Sequence, residues 1–134
     1  MKELDRWTKE LMKELGEEIA VELQAEVDDN IARGFKKREL KWKPLNEKYK
    51  KYKEKKGWST EGLKKYGHLL RATDTSVEYK KGKLIVKVGN NMEYAPYHEF
   101  GTKKMPARPF IRPALEKVQK DLPKIVEKVF KRMR

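Results

Sequence analysis

The sequence predicts an α+β protein with a long N-terminal helix, a small antiparallel sheet built from a hairpin, and a C-terminal helix packed on that sheet. Three patterns predict it: apolar residues at helical spacing near the N-terminus, two short alternating segments around a glycine-containing turn, and a second helical pattern at the C-terminal end. The 134 residues fit one domain. We divide it into an acidic helix over 1–35, a Lys-rich arm or loop over 36–66, and the sheet with the C-terminal helix over 67–134.

The first helix is predicted over residues 4–32. Its apolar face consists of Leu4, Trp7, Leu11, Leu15, Ile19, Leu23, Val27 and Ile31. These residues recur at steps of three and four, which is the spacing of one helix face, and the other faces are mostly charged. Gly16 should weaken the helix by about 1 kcal/mol relative to alanine. Gly34 follows the last apolar residue and is predicted to end the helix in a left-handed conformation.

The Lys-rich segment after this helix predicts only a short helix that ends near Gly57. Pro44 fits the first turn of that helix, because a proline there gives up no hydrogen bond. Leu45, Tyr49 and Tyr52 would form its narrow apolar stripe. The segment is too polar to bury much surface, which favours a mobile arm or loop.

A hairpin is predicted after a short helix over 61–70. Its strands lie over 73–79 and 83–88, and the turn between them is predicted at Lys80, Lys81 and Gly82. Residues 84, 86 and 88 of the second strand are apolar and predict one buried face. Gly89, Asn90 and Asn91 indicate a further turn.

The C-terminal part begins with an aromatic-rich segment over 92–101 and a loop over 102–109 that contains two prolines. The last helix should begin at Pro109 or Pro113, and its apolar face consists of Leu115, Val118, Leu122, Ile125, Val126, Val129 and Phe130. Pro123 is predicted to kink this helix, because it lacks a backbone donor and crowds the preceding turn.

Composition narrows the classes of protein that fit. Only 37% of residues are hydrophobic and 41% are charged, so the excess polar surface should be solvated or face a partner. The absence of cysteine excludes disulfides and thiolate zinc sites. No apolar run is long enough to span a membrane, and the N-terminus lacks the apolar core of a signal peptide.

The net charge of +13 is unevenly spread. Residues 1–35 carry five basic and ten acidic side chains, and residues 36–134 carry twenty-nine basic and eleven acidic ones. The basic part should attract polyanions or an acidic protein surface. The acidic helix could pair with it in its own chain or in a neighbouring copy.

Enzyme motifs are almost absent, so we predict no catalysis, no cofactor and no metal. His98 beside Glu99 is the one candidate acid–base pair, and a packed or interfacial histidine is the better interpretation. Asp28, Asp29 and Asn30 resemble ligands, but adjacent helical residues point to different faces. A small nuclease or toxin would need an acid–base set that the two histidines scarcely provide.

Lysines alternate with tyrosines in the Lys-rich segment, as in proteins that bind nucleic acid without reading its sequence. The candidate polyanion contacts are Lys48, Lys50, Lys51, Lys53, Lys55 and Lys56. The competing interpretation is a solvated helix or arm. Lysine outnumbers arginine here, which argues against specific base recognition.

The most informative stretch combines aromatic residues, glycine and prolines. Its residues are Tyr94, Ala95, Phe100, Gly101, Pro106, Ala107, Arg108, Pro109 and Phe110. The two prolines make a rigid link, Phe110 should anchor the last helix, and the Arg108 guanidinium should be free to bind a carboxylate. The segment predicts a fixed junction between sheet and helix.

This stretch resembles the signature of tail-completion and neck proteins of tailed phages, in particular the Mu-like virion morphogenesis family. The match consists of Tyr-Ala, an aromatic-Gly pair and Pro-Ala-Arg-Pro-Phe. Trp42, Pro44 and Leu45 resemble the Trp-x-Pro-Leu of the Mu-like members. Where relatives usually have Leu-x-x-Thr-Gly, this chain has Leu-Leu-Arg-Ala-Thr at 69–73.

The resemblance implies a virion protein of the neck or tail, assembled in the host cytoplasm, that forms a homo-oligomeric ring joining head to tail. It implies contacts with other neck or tail proteins, and it implies no catalysis and no membrane association. In such a ring the first helix would pack on or near the next subunit, and the Lys-rich arm would face an acidic partner or DNA in the channel. The alternative is a non-sequence-specific nucleic-acid-binding protein that uses residues 36–66.

Overall fold

A computed structural model describes residues 2–57, 63 and 66–133 of the chain. The helices are α1 (Lys2–Arg33), α2 (Glu47–Lys55), α3 (Tyr66–Ala72), α4 (Ala95–Phe100) and α5 (Arg112–Arg132), and the strands are β1 (Thr73–Lys80) and β2 (Lys83–Asn90). Two 3-10 turns, Gly34–Lys36 and Arg38–Leu40, follow α1. The predicted α+β fold is confirmed. None of the helices in the described ranges is long and apolar enough to cross a membrane.

The hairpin has a two-residue turn, one residue shorter than predicted, because Lys80 belongs to β1 and pairs with Lys83. Lys81 and Gly82 both have positive φ, at 51° and 75°. This geometry matches the right-handed twist of the flanking strands. The predicted alternation in β2 is confirmed, since Leu84, Val86 and Val88 are half-buried and their neighbours Lys83, Ile85 and Lys87 are exposed.

The turn predicted at residues 89–91 is wrong in its position. Gly89 and Asn90 belong to β2 and pair with Asp74 and Thr73. The amide of Asn90 donates to the Leu69 carbonyl at 2.7 Å and to the Thr73 hydroxyl at 2.9 Å. These bonds fasten the open end of the hairpin to α3, so the strand extends further than its apolar pattern.

The hairpin packs on the middle of α1, and Gly16 permits this approach. A Cβ atom at Gly16 would lie 2.4 Å from Val77 Cγ1 and 2.9 Å from Leu84 Cδ1. Both distances are shorter than real contacts allow. Gly16 therefore lowers the helix propensity of α1 but lets β1 and β2 lie directly against it.

We expect Gly16→Ala to destabilise the protein by about 1 kcal/mol or more, although the same change in an exposed helix stabilises it by a similar amount. The reason is that the new methyl group overlaps Val77. Urea denaturation followed by circular dichroism measures the effect. Ala25→Gly is the matched control, since Ala25 is exposed on the same helix and should lose only propensity. A stabilised Gly16→Ala variant would contradict the packing.

Helix α5 packs against α1 and the sheet. Leu23, Val118 and Ile125 form a buried cluster that Val86 and Val88 of β2 pack against. The helix begins at Arg112 with Pro113 in its first turn, close to the predicted start, and it continues through Pro123. The predicted kink at Pro123 stays a prediction.

Ion pairs join the same two helices. Glu18 of α1 accepts from Lys128 at 2.7 Å and from Arg132 at 3.3 Å, and Lys117 lies 3.9 Å from Glu26. The hydrogen bond from Lys128 holds the pKa of Glu18 below its ordinary value. The acidic helix thus pairs with basic residues of its own chain, one of the two arrangements the charge pattern allowed.

Candidate functional site: a clasp around the Pro-Ala-Arg-Pro-Phe link

The residues of the phage signature converge on one place, where the link (residues 106–110) passes between α1, α2 and α4. We call this arrangement the clasp. It consists of Trp42, Arg108, Glu99 and Asn30, each of which bonds a backbone group of a distant segment.

Trp42 ties the start of the Lys-rich segment to the link. Its side chain is 8% exposed and belongs to a buried cluster with Val27, Ile31 and Phe110. The indole Nε1 donates to the carbonyl of Pro109 at 2.8 Å. The segment predicted as an arm or loop is therefore anchored in the core at this residue, and residues 36–57 contain one complete 3-10 turn, Arg38–Leu40, and α2.

Gly34 has a different role from the one predicted. Gly34 does not have a positive φ, so it is not the predicted left-handed cap, and it begins a 3-10 turn instead. A Cβ atom there would lie 2.1 Å from two ring carbons of Trp42. Gly34 provides the space for the indole, which also meets Phe35 edge-on with ring centroids 5.2 Å apart.

Pro44 also lies outside its predicted place. Helix α2 begins three residues later, at Glu47, and the Asn46 side chain caps it by accepting from the Tyr49 N–H at 2.9 Å. Asparagine is a preferred residue at this position because its side-chain oxygen satisfies a free backbone donor. Pro44 remains in the clasp through its carbonyl oxygen, which accepts from Arg108.

Arg108 is engaged, not free as predicted. Its Nε donates to the carbonyl of Lys43 at 3.0 Å and its Nη2 to that of Pro44 at 3.3 Å. The guanidinium carbon lies 5.0 Å from the centre of the Phe35 ring, within the range of a cation–π contact. The backbone N–H of Arg108 donates to the His98 carbonyl. The guanidinium thus joins the link to the segment before α2, and it pairs with none of the carboxylates in residues 5–57 and 68–133.

Glu99 caps the start of α5, a role that the sequence did not reveal. Its Oε1 accepts from the backbone N–H groups of Phe110 and Ile111, both at 3.0 Å, and its Oε2 accepts from that of Arg112 at 3.1 Å. The first N–H groups of a helix have no partner within it, and negative charge is favourable there. The carboxylate considered for acid–base chemistry is a structural cap.

Asn30 completes the clasp from α1. It is 1% exposed, its Nδ2 donates to the Phe110 carbonyl at 3.0 Å, and its Oδ1 accepts from Lys37 at 2.6 Å. Asp29 pairs with Arg33 at 2.8 Å and also with the same Lys37 ammonium at 3.0 Å, whereas Asp28 points elsewhere and contacts Gln24. Asp29 and Asn30 therefore share Lys37, but the three residues do not converge on one point.

The end of α4 presents its aromatic residues to solvent. Ala95 is buried, and Gly101 ends the helix with φ 77°. A Cβ atom at Gly101 would come 2.8 Å from the Ala107 nitrogen, so glycine also permits the link to pass. Phe100 is 70% exposed and Tyr97 is 54% exposed. The signature thus contains a large apolar side chain that its own chain does not cover.

A cavity of about 430 Å³ lies beside the clasp. Its lining residues are Phe35, Leu45, Tyr49, Leu63, Tyr94, Tyr97, His98, Met105 and Arg108. Burial lowers the pKa of His98, which favours its neutral form. Within the described ranges, the Tyr94 hydroxyl and His98 Nδ1 are buried without a hydrogen-bond partner. The same ranges contain no group of acidic, histidine or cysteine side chains that could hold a metal ion.

The lysines of α2 divide into two kinds. Lys48, Lys50, Lys51, Lys55 and Lys56 are exposed. Lys53 is 1% exposed and lies 5.9 Å from the Tyr49 ring centre, so it does not present its ammonium at the surface as a polyanion contact would. Tyr49 and Tyr52 stack on each other, with centroids 6.1 Å apart.

The structure also locates the excess positive charge. The acidic helix α1 and the basic helix α5 lie side by side and form ion pairs. Residues 34–111 between them carry twenty-one basic and eight acidic side chains, which equals the whole net charge of +13. The unbalanced positive field therefore comes from the middle of the chain.

The clasp is a structural junction in which Trp42 and Arg108 of the phage signature act together with Asn30 and Glu99, and comparison with known proteins gives the class. The sequence model of the phage virion morphogenesis family matches residues 1–132. The chain belongs to this family, which indicates a structural role in phage morphogenesis and association with the virion.

Two relatives extend the comparison. An uncharacterized protein of Methanocaldococcus jannaschii is 64% identical over 131 residues, which cover 96% of this chain and 97% of the relative. The Mu-like prophage FluMu G protein 1 of Haemophilus influenzae is 38% identical over 71 residues, which cover 53% of this chain and 47% of that protein. No solved structure matches the chain.

Proposed function

We propose that the protein is a non-catalytic subunit of a homo-oligomeric ring in the phage neck or at the end of the tail, where it joins head to tail. The carrying observation is the clasp, in which side chains bond backbone groups of residues 43–44 and 109–112 and so hold the link. The match to the family over residues 1–132 supports the proposal, as does the similarity to a Mu-like prophage protein.

The exposed aromatic residues support the assembly role. Phe100 and Tyr97 lie at the end of α4, which the clasp holds in place through the Glu99 cap and the Arg108–His98 backbone bond. Large apolar side chains held rigidly at a surface suit a contact with another protein. We propose that they contact a neighbouring subunit or another neck or tail protein.

The Lys-rich surface suits an acidic partner in the same assembly. The exposed lysines of α2 belong to the part of the chain that carries the unbalanced charge. In a ring they would face an acidic protein surface or the DNA in the channel, where a lysine-rich surface binds the phosphate backbone without reading sequence. The proposed partners of the exposed lysines are therefore an acidic protein surface or the DNA in the channel.

Deleting the gene from the phage or provirus that encodes the protein tests the proposal. We expect DNA-filled heads and separate tails that electron microscopy shows as unjoined, and complementation should restore infectious particles. The purified protein should form closed rings at high concentration, measured by light scattering and electron microscopy. Normally joined, infectious particles from the deletion strain would overturn the proposal.

Duplex DNA binding distinguishes the alternative. A non-sequence-specific nucleic-acid-binding protein would hold duplex DNA tightly at about 0.15 M salt with a steep salt dependence. We expect weak binding that disappears at that salt concentration, because a protein with a net charge of +13 attracts any polyanion in dilute buffer.

A further inference from the structure

The sheet of this protein has two open edges. It consists of β1 and β2 alone within the described residues. In the same ranges, no backbone group outside the hairpin bonds to residues 74–89. Two-stranded sheets are marginally stable by themselves, and open edges readily pair with further strands. Packing on α1 supports one face of the hairpin, and both strand edges lack backbone bonds to the rest of the described chain.

The turn geometry identifies the backbone groups at these edges. Lys80 and Lys83 flank the two-residue turn and therefore exchange both backbone hydrogen bonds, and such pairs alternate along an antiparallel ladder. The N–H and C=O groups of Thr75, Val77 and Tyr79 thus point away from β2, and those of Leu84, Val86 and Val88 point away from β1.

Two observations agree with this assignment. The Thr75 N–H donates to the side chain of Asp74 at 3.0 Å, as expected of a group that does not face the partner strand. Val77 is 39% exposed although its side chain lies against Gly16. The edge of β1 is therefore open to solvent in the free subunit.

The outer face of β1 carries both acids of the hairpin, whereas the charged residues on the outer face of β2 are all lysines. In β1 the exposed charged residues are Asp74, Glu78 and Lys80, and in β2 they are Lys83 and Lys87. Across the ladder, Asp74 is opposite Gly89, Glu78 is opposite Ile85, Lys87 is opposite Ser76, and Lys83 is opposite Lys80. Neither acid is directly opposite a lysine.

Glu78 forms an ion pair with Lys80 of its own strand at 3.8 Å, and both side chains are largely exposed. Exposed pairs of this kind contribute little to stability. The charges on the two strands are thus available to a complementary surface beside each edge.

We propose that β1 of one copy pairs with β2 of the next copy, so that the hairpins form a continuous antiparallel sheet around the assembly. Because the two strands of a hairpin run in opposite directions, a second hairpin added in the same orientation is automatically antiparallel. The contact is head-to-tail and can close into a ring. When the pairing between copies is offset by two residues from the hairpin's own register, Glu78 of one copy lies opposite Lys83 of its neighbour, and Asp74 lies opposite Lys87. The inference rests on the ring proposed above and names its subunit contact.

Charge reversal tests the contact. One variant carries Asp74→Lys and Glu78→Lys, and a second carries Lys83→Glu and Lys87→Glu. In the first variant both edges are basic and in the second both are acidic, so neither should form rings alone. A variant with all four changes has complementary edges again and should form rings, as should an equimolar mixture of the two double variants. Circular dichroism melts of the monomers verify that each variant folds.

Cross-linking tests the same contact without changing charge. The chain contains no cysteine, so single Ser76→Cys and Lys87→Cys variants each have one thiol. A short thiol cross-linker should join the two variants when they are mixed, and it should not join Ser76→Cys copies to each other. The side chains of residues 76 and 87 lie on the outer face in paired positions, so both thiols are accessible.

The outcomes separate this inference from the proposed function. If the wild-type protein forms rings, and both double variants form them equally well, the edge contact is overturned and the ring is not. If Ser76→Cys cross-links only to itself, the contact is a two-fold pairing and the head-to-tail inference is overturned. If no assembly forms at any stage of virion production, the ring fails and the inference fails with it.

Discussion

Trp42→Ala is expected to lower the free energy of unfolding by about 3–5 kcal/mol, the usual cost of removing a buried aromatic side chain. The indole fills the space between Gly34, Phe35 and the link, and its loss also leaves the Pro109 carbonyl without its donor. A domain of this size is typically stable by only about 5–15 kcal/mol. The variant should therefore be near its unfolding threshold, and urea denaturation at 25 °C should show a much lower midpoint.

Two further variants identify the cause. Trp42→Phe keeps most of the buried ring and removes the hydrogen bond to Pro109, so it should lose less stability than Trp42→Ala. Gly34→Ala should be costly in the wild type, because its methyl group overlaps the indole, and much cheaper in the Trp42→Ala background. Such coupling is expected of residues in direct contact. Additive effects of Gly34→Ala and Trp42→Ala would contradict the clasp.

The predictable part of this fold is the part that depends on local periodicity. The steps of three and four along α1 and α5, and the alternation in β2 beside a Gly-containing turn, identified the main helices and the hairpin. These patterns arise because one face of each element is buried. The order of elements then gave the fold class without any knowledge of contacts.

The clasp could not be predicted in this way, because its bonds join residues far apart in the sequence. Trp42 and Pro109 are 67 positions apart, and Asn30 and Phe110 are 80 apart. Resemblance to the phage signature identified Trp42, Arg108 and Phe110 as a set, but not what each one contacts. Arg108 was expected to bind a carboxylate, and it binds carbonyl oxygens.

Glycine roles were the least predictable. Gly16 and Gly34 were interpreted from backbone preference alone, one as a weak point in α1 and the other as a cap. The structure gives both a spatial reason, since each lies where a Cβ atom would collide with another segment. Sequence can show that a glycine is unusual at a helical position, but the overlapping side chain comes from a distant part of the chain.

Glu99→Ala is the second large expected effect, with a loss of about 2–4 kcal/mol. The change removes the acceptor of three backbone N–H groups at the start of α5. Phe110 is fully buried and Ile111 is half-buried, so water replaces the carboxylate poorly at these two donors, and each unsatisfied buried group costs about 1–3 kcal/mol. The loss of negative charge at the helix N-terminus adds to this, by about 0.3–1 kcal/mol.

Glu99→Gln separates the hydrogen bonds from the charge. Glutamine keeps one carbonyl oxygen, which can still accept from Phe110 and Ile111, but its amide nitrogen cannot accept from Arg112. We therefore expect Glu99→Gln to lose less stability than Glu99→Ala.

Glu93→Ala is the matched control. Glu93 is exposed just before α4, so its substitution removes the same charge without touching α5. Equal midpoints for Glu93→Ala and Glu99→Ala in urea would show that Glu99 does not cap α5. A larger loss at Glu99, with amide exchange accelerated selectively at residues 110–112, would show that the same carboxylate holds the link and the start of the last helix together.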